Sequence, residues 1–194
     1  IALFESVYPK EADRVRFFED LVQRLEAQPA VASVAATTNL PGGGSGLWEY
    51  RVEGRVYPAE RDKPQARLAM VSPEFFDVYG ASVLAGRGFG AQDNAGGLPG
   101  AVVNKTFAKK VWPGEDPIGK RIRLEEEIGE TNPPWRTVVG VVPDLQMAGI
   151  GSNEGSPEGF YLPQAQRCPG FVSLVARSRA GNPLALTSVV RQQV

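Results

Sequence analysis

The sequence contains no histidine, one cysteine and no apolar run near the ~20 residues that a membrane-spanning helix needs. Without histidine it can form no Ser-His-Asp triad, no Cys-His dyad and no His-ligated zinc site. The lone Cys168 has no partner for an internal disulfide, so we interpret it as a free structural thiol and leave the redox compartment open. No set of nucleophile, base and orienting residue is visible. We therefore predict no catalytic residue, no metal site and no cofactor.

An excess of charge of either sign is also missing, because 21 Lys and Arg residues stand against 22 Asp and Glu residues. Proteins that capture nucleic acid or an anionic membrane through charge usually carry a basic excess. The two short basic stretches, 109–110 and 120–123, lack the further charge and the interleaved aromatic residues of such a surface. We interpret both as solvated faces and predict no nucleic-acid partner.

One stretch, GEDPIGKR (114–121), contains the G-x-x-x-x-G-K part of the phosphate-binding P-loop signature. A P-loop follows a buried strand, precedes a helix and has Ser or Thr after its lysine. Here a helical pattern precedes, an alternating strand pattern follows, and Arg121 occupies the Ser/Thr position. Pro117 also lacks an amide hydrogen for a phosphate. We predict a helix-to-strand connector behind a buried Trp112, and no nucleotide site.

Helix and strand patterns are mixed along the chain. Apolar residues recur at three- and four-residue spacings between Pro9 and Gln28, which is typical of an amphipathic helix. Ser72, Asn104 and Asn182 each stand where a side chain caps a helix start. Strand patterns cover the ranges 1–7, 31–37, 47–52, 67–71, 101–103, 120–124, 135–142, 160–162 and 171–177. Without regular alternation of strands and helices, these patterns favour an α+β fold over a Rossmann fold.

The two ends of the chain together predict one layer. A β-α-β unit fills residues 1–37, and a strand followed by a helix ends the sequence. The glycine-rich middle, with its short strands, has the pattern of an insertion. We expect Gly42–Gly46 to form a mobile hairpin loop between its flanking strands, because glycine and serine favour turns.

Several stretches in a fixed order resemble one known family. They are VSPEFFDVYGASVLAGRGF (71–89), VVNKTFAKKVWPGEDPIGKRIRL (102–124) and WRTVVGVVPDL (135–145), with further similarity towards both ends. Together they resemble the periplasmic core domain of MacB-type, FtsX-like ABC transporter permeases. The amino-acid sequence of these stretches is most similar to the branch in which two permease units occupy one polypeptide.

The resemblance implies an α+β fold of two parts. A porter-like β-α-β subdomain would comprise residues 1–71 and 170–194, and an inserted, mainly β, Sabre-like subdomain would comprise residues 72–169. It also implies a non-catalytic periplasmic domain of an inner-membrane permease that relays ATP-driven motion. Its partners would be a cytoplasmic ABC ATPase subunit reached through the membrane helices, a second permease half or protomer, and a periplasmic adaptor protein.

The ends of the sequence agree with such a domain, because the sequence begins without Met and its predicted last helix has no C-cap signal. We expect an excised piece of a longer membrane protein. Partner contact is expected at the loops 42–46 and 149–159, through the residues Gly43, Gly44, Ser45, Ile150, Ser152 and Asn153. The alternative is a free-standing periplasmic binding module that holds a small ligand or peptide with its glycine-rich loops.

Overall fold

The computed structural model describes residues 1–4, 6–125, 132–151 and 157–193. Within these residues, the α-helices are α1 (Glu11–Glu26), α2 (Phe75–Val78), α3 (Lys105–Val111) and α4 (Leu186–Gln193). The strands are β1 (Val31–Thr37), β2 (Leu47–Val52), β3 (Gln65–Val71), β4 (Ala85–Gly86), β5 (Gly100–Asn104), β6 (Arg121–Leu124), β7 (Arg136–Val142), β8 (Gly159–Pro163) and β9 (Ser173–Ser178). The predicted α+β class is confirmed. No helix among the described residues is long and apolar enough to cross a bilayer.

The strands form one sheet whose central part closes into a ring. Neighbouring strands follow the order β2-β6-β7-β5-β8-β3, and β3 pairs with β2 again. The pairs β5–β7 and β3–β8 are parallel, whereas the other ring pairs are antiparallel. β1 and β9 continue the sheet outward from β3, and α1 and α2 pack against β1. The protein therefore combines a closed ring with an open, helix-covered layer.

β1 and β2 follow one another along the same edge of β3. Thr37 lies opposite Val71 and Leu47 lies opposite Arg67, while β8 occupies the other edge of β3 over these residues. The chain between β1 and β2 bulges away from this edge and then rejoins it. The predicted hairpin loop at 42–46 is therefore wrong, because its flanking strands do not pair with each other.

Three hydrophobic cores hold these parts together. The first lies in the ring beneath α3 and contains Tyr50, Phe107, Trp112, Ile122 and Phe160. The second surrounds α2 and contains Phe75, Phe76, Val142, Met147 and Tyr161. The third lies between α1, α4 and the β1–β9 layer and contains Leu3, Phe18, Leu21, Val34 and Leu186. Both ends of the chain thus contribute to one core, as the predicted shared layer requires.

Two of the three predicted helix caps are confirmed. Asn104 accepts a hydrogen bond from the Phe107 amide at 2.8 Å, and Asn182 accepts one from the Leu184 amide at 3.1 Å. The predicted cap at Ser72 is wrong. Its hydroxyl accepts instead from the Ala36 amide of β1 at 3.1 Å, and α2 begins only at Phe75.

The predicted strand at residues 1–7 is also wrong. The described residues there form a single bridge, between Ala2 and Phe171. The division of the chain at residues 71/72 and 169/170 stays a prediction. In the structure, β3 and β8 pair with each other across that division.

Candidate partner-contact surface

Residues 39–46 and 146–151 lie against each other and are called the loop pair. The Gly42 amide donates to the Gln146 carbonyl at 2.6 Å, and the Ile150 amide donates to the Gly42 carbonyl at 3.0 Å. Gly42 has a φ of 80°, a left-handed conformation that glycine adopts without strain. The described parts of the two predicted loops, 42–46 and 149–151, therefore lie on one surface.

Ser45 fastens the loop pair from beneath. Its amide and its hydroxyl both donate to the Met147 carbonyl, at 2.9 and 3.1 Å. Its own carbonyl accepts a hydrogen bond from the buried Arg67 guanidinium. With 4% of its surface exposed, the Ser45 side chain does not reach the face where the predicted contact would form.

The outer face of the loop pair is apolar. Ile150 is 88% exposed and Leu40 is 42% exposed, with the exposed Gly43 and the half-buried Gly44 beside them. Large contiguous apolar patches mark protein contacts, whereas single exposed aliphatic side chains are common on any surface. Contact through Gly43, Gly44 and Ile150 stays a prediction. Two further predicted contact residues lie outside the described residues, namely Ser152 and Asn153.

A small cavity lies under the loop pair, and no sequence motif indicates it. Its lining includes Asn39, Ser45, Met147 and Tyr161, and its volume of about 10 Å³ admits about one water molecule. The Tyr161 hydroxyl is buried and has no hydrogen-bond partner among the described residues. Burial raises the pKa of Tyr161, so this phenol stays neutral.

The start of the chain is tied to the segment before β9. The Ile1 amino group donates to the Val172 carbonyl at 2.9 Å, and the Val172 amide donates back to Ile1 at 3.0 Å. The Leu3 amide donates to the Gly170 carbonyl at 2.5 Å. We call this contact between residues 1–14 and 168–172 the terminal clasp.

Charged side chains of α1 reinforce the terminal clasp. Arg14 is 9% exposed and donates to the carbonyls of Tyr8 at 2.8 Å and Cys168 at 3.1 Å. Glu11 accepts a hydrogen bond from the Cys168 amide at 2.8 Å. α1 thus holds the entering chain and the later segment in one place.

Cys168 lies inside the terminal clasp and is a free, buried thiol, as predicted. Burial raises the pKa of Cys168 to about 11, and a hydrogen bond from Gln164 opposes this only in part. A thiol in this state is a weak nucleophile, because the thiolate is the reactive form.

The GEDPIGKR stretch forms the predicted connector from α3 to β6. Its amides are already bonded to protein oxygens at 2.9–3.1 Å, namely those of Glu115, Ile118, Gly119 and Lys120. The Lys120 ammonium pairs with Glu115 at 2.6 Å on the surface. Since a P-loop offers free amides and a free lysine to phosphate, this geometry does not fit one. The predicted burial of Trp112, which is 4% exposed, is confirmed.

The two basic stretches face acidic side chains of the protein itself. Lys110 pairs with Glu158 at 2.6 Å, and Arg121 pairs with Glu53. Arg123 lies 4.9 Å above the Trp135 ring, a cation–π contact. Lys110 and Arg121 are thus paired within the protein, and the absence of a nucleic-acid partner stays a prediction.

Comparison with known proteins agrees with this architecture. The chain matches the model of the MacB-like periplasmic core domain over residues 4–189. It is similar to the periplasmic region of MacB from Actinobacillus actinomycetemcomitans, with a TM-score of 0.61 and 18% identity over 90% of this chain and 71% of that chain. No curated protein sequence matches the chain.

Two further solved structures are similar. A domain of a putative permease from Porphyromonas gingivalis gives a TM-score of 0.54 and 20% identity, covering 86% of this chain and 70% of that chain. The extracellular domain of the ABC-type transporter YknZ from Gram-positive bacteria gives 0.55 and 18%, covering 88% and 76%. At these identities the likeness establishes the fold.

Proposed function

The chain belongs to the MacB-like periplasmic core domain family, whose members are parts of ABC transporter permeases, and we propose that it relays ATP-driven motion and contacts partner proteins. It acts in the periplasm, outside the inner membrane. A cytoplasmic ABC ATPase subunit supplies the energy through the membrane helices of the permease. The domain itself is non-catalytic.

The observation that carries the relay is the terminal clasp. It bonds residues 1–3 to residues 170–172, so a displacement of the entering chain also moves the segment that leads into β9. α1 and α4 share the third core with β1, so the first and last helices move as one packed layer. Densely packed layers of this kind transmit displacement because they deform little.

The same layer is continuous with the ring. On one edge, β3 pairs with β1 at Val71 and with β2 at residues 65–67. On its other edge it pairs with β8. A rotation of the layer therefore acts on the ring through shared backbone hydrogen bonds. The loop pair leaves the edge of β3 at this junction, where a change in angle between layer and ring would shift its exposed Ile150.

The partners we propose follow from this placement and from the family. A second permease half or protomer, or a periplasmic adaptor protein, would bury the apolar face of the loop pair formed by Leu40 and Ile150. Burial of such side chains on association is favourable by about 25 cal/mol for each Å² removed from water. This supports a contact whose strength changes with the state of the permease.

Hydrogen–deuterium exchange on the parent permease with its ATPase subunit tests the relay. Nucleotide-free and ATP-trapped complexes are compared, and we expect exchange at residues 1–4, 42–46 and 168–172 to differ between the two states. Strands β5 and β7, at the centre of the ring, serve as the internal control. Identical exchange at all three segments in both states would refute the relay.

Crosslinking tests the partner contact. A photoreactive residue in place of Ile150 is compared with one in place of Val56, which is 87% exposed and is not part of the loop pair. We expect a crosslink from position 150 whose yield changes on ATP trapping, and none from position 56. Equal yields at both positions, or a yield that ignores nucleotide, would count against it.

A further inference from the structure

A cleft of about 460 Å³ lies between α1 and the segments that connect the ring to the layer. α1 forms one wall, and the opposite wall comes from residues 72–74, Ala91 and residues 164–165. Its volume is in the range of small-molecule and peptide sites in proteins. The cleft thus opens between segments of both predicted subdomains.

The shape of the cleft is elongated. Val15, Phe18, Val22 and Glu26 all line it, and they follow one face of α1 at spacings of three and four residues. Glu26 follows Val15 by eleven positions, which correspond to about 16 Å along the helix axis. An extended peptide advances about 3.3 Å per residue, so about five residues would match this length.

Three carboxylates lie on the rim of the cleft. Glu19, Glu26 and Glu74 line the cleft, and none of them makes an ion pair or side-chain hydrogen bond within the described part of the chain. No Lys or Arg lines the described cleft. Three uncompensated negative charges therefore surround an apolar wall.

The Gln164 amide adds a polar group to the wall of the cleft. Gln164 is 5% exposed and lines the cleft, and its Nε2 donates to the Cys168 sulfur at 3.6 Å. Its Oε1 accepts no hydrogen bond from any described residue. This oxygen is not one of the fully buried unpaired atoms, so a donor in the cleft can reach it. The cleft therefore presents acceptors to a ligand that brings donors.

We propose that this cleft docks an extended segment of another protein, about five residues long, which carries two Lys or Arg residues beside apolar ones. The basic side chains would pair with Glu19, Glu26 and Glu74, and the apolar ones would lie over the half-buried Val15 and the exposed Pro73. A backbone amide of the segment would donate to Gln164. The occupant bridges α1 and the 72–74 segment, and so fixes the angle between layer and ring.

The proposal goes beyond the relay and does not depend on it. Peptide binding is measured on this chain without ATP, whereas the relay is measured as a nucleotide-dependent change in the parent permease. Either result can fail while the other holds. An acidic segment is disfavoured because it would add like charge to an unpaired acidic rim.

NMR titration of the ¹⁵N-labelled chain provides the test. The probe is the acetylated and amidated peptide Ser-Lys-Leu-Ser-Lys-Leu-Ser, and the control peptide has Glu in place of both Lys residues. We expect saturable shifts of the amides of Val22, Ser72 and Ala165 with the basic peptide, and no shifts there with the acidic one. Affinity should fall as salt rises, since exposed charge pairs are screened.

Matched variants locate the site. Glu19→Gln/Glu26→Gln removes two rim carboxylates, and Asp13→Asn/Asp20→Asn removes two carboxylates of the same helix at the same seven-residue spacing but outside the cleft. We expect the first to weaken binding roughly three- to tenfold and the second to leave it unchanged. Ala91→Trp, which fills the cleft at an exposed position without changing charge, should abolish binding.

Several outcomes would overturn the proposal. They are absence of saturable shifts up to millimolar peptide, equal binding of the acidic peptide, and equal loss in both double variants. Spermidine tests the remaining source of positive charge. If spermidine binds as tightly as the peptide and displaces it, the cleft holds a small polyamine and the peptide proposal falls.

Discussion

Arg14 donates from Nε to the carbonyl of Cys168 at 3.1 Å and so joins α1 to a residue 154 positions later in the chain. The guanidinium also donates to the carbonyls of Tyr8 and Pro9, at 2.8 and 3.4 Å. A buried guanidinium loses its hydration, and these carbonyls replace it. One side chain therefore ties α1 to two other segments of the terminal clasp, residues 8–9 and Cys168.

Arg14→Gln should loosen the terminal clasp. We expect a loss of about 1–3 kcal/mol in the free energy of unfolding, because buried carbonyls lose charged donors. Urea denaturation measures the loss, and amide exchange at residues 170–172 should accelerate. Arg16→Gln, at an exposed position of the same helix, is the control. Equal stability of the two variants would show that the Arg14 contacts contribute nothing.

Trp112→Ala should be among the costly substitutions in the ring. Trp112 is 4% exposed and its ring lies 6.0 Å from that of Phe107. Truncation of a buried tryptophan typically costs about 3–5 kcal/mol of unfolding free energy. Trp135→Ala, at a half-buried ring that stacks on Arg123, should cost less than half as much. Chemical denaturation of both variants decides whether burial sets the difference.

Lys120→Ala should leave stability nearly unchanged, and ATP with magnesium should not shift the melting temperature of the protein. Lys120 and Glu115 are both exposed on the surface, and the nearby amides are already bonded within the chain. Thermal melts with and without ATP measure both expectations. An ATP-induced rise that Lys120→Ala removes would restore the nucleotide-site interpretation of GEDPIGKR.

Glu125→Gln should show a pH-dependent loss of stability. Burial alone would raise the pKa of Glu125, but hydrogen bonds from Arg51 and Lys63 outweigh it and lower that pKa in the folded state. A lowered pKa stabilises the fold above the unfolded value of about 4.3, and the contribution disappears as pH falls through the folded value. We expect the variant to lose about 1–3 kcal/mol at pH 7, since charged partners remain unpaired.

Denaturation at pH 7 and near pH 3 measures this difference. The difference in unfolding free energy between the protein and Glu125→Gln should be present at pH 7 and should disappear as the solution becomes more acidic. Glu49→Gln, on the neighbouring strand β2 at an exposed position, is the control and should show a small gap at both values. A gap at Glu125 that is constant with pH would contradict the role of its charge.

Cys168 should resist thiol reagents in the folded protein. Burial raises the pKa of Cys168 to about 11, so little thiolate exists at pH 8. We expect slow labelling by iodoacetamide in buffer and complete labelling in guanidinium chloride. Asp20→Cys, which adds a thiol at an exposed position of α1, should gain one rapid label. Rapid modification of both thiols would indicate that the terminal clasp opens readily.

Local chemistry made several elements predictable from sequence. The bounds of β1 and β2 agree with the structure, and α1 and the caps at Asn104 and Asn182 form as expected, because each depends on neighbouring residues alone. Ser72 shows where this fails. The sequence around Ser72 favours a helix cap. In the folded protein its hydroxyl instead accepts a hydrogen bond from the Ala36 amide, which tertiary folding brings close.

Long-range pairing explains most of what the sequence left open. Nothing local indicates that β3 lies beside β8, or that β1 and β2 share an edge of β3. The contact between Gly42 and Ile150 and the burial of Ser45 follow from that pairing. The cleft is lined by residues from separate parts of the chain, between positions 15 and 165. No single sequence motif could therefore predict it.

The shared strand β3 has a consequence for how the molecule can come apart. The backbone hydrogen bonds of the sheet continue from the ring into the layer, because β3 pairs with β2, β8 and β1. Melting either part would strip hydrogen-bond partners from the other, at the net cost that each unpaired buried amide carries. We therefore expect the ring and the layer to unfold as one cooperative unit.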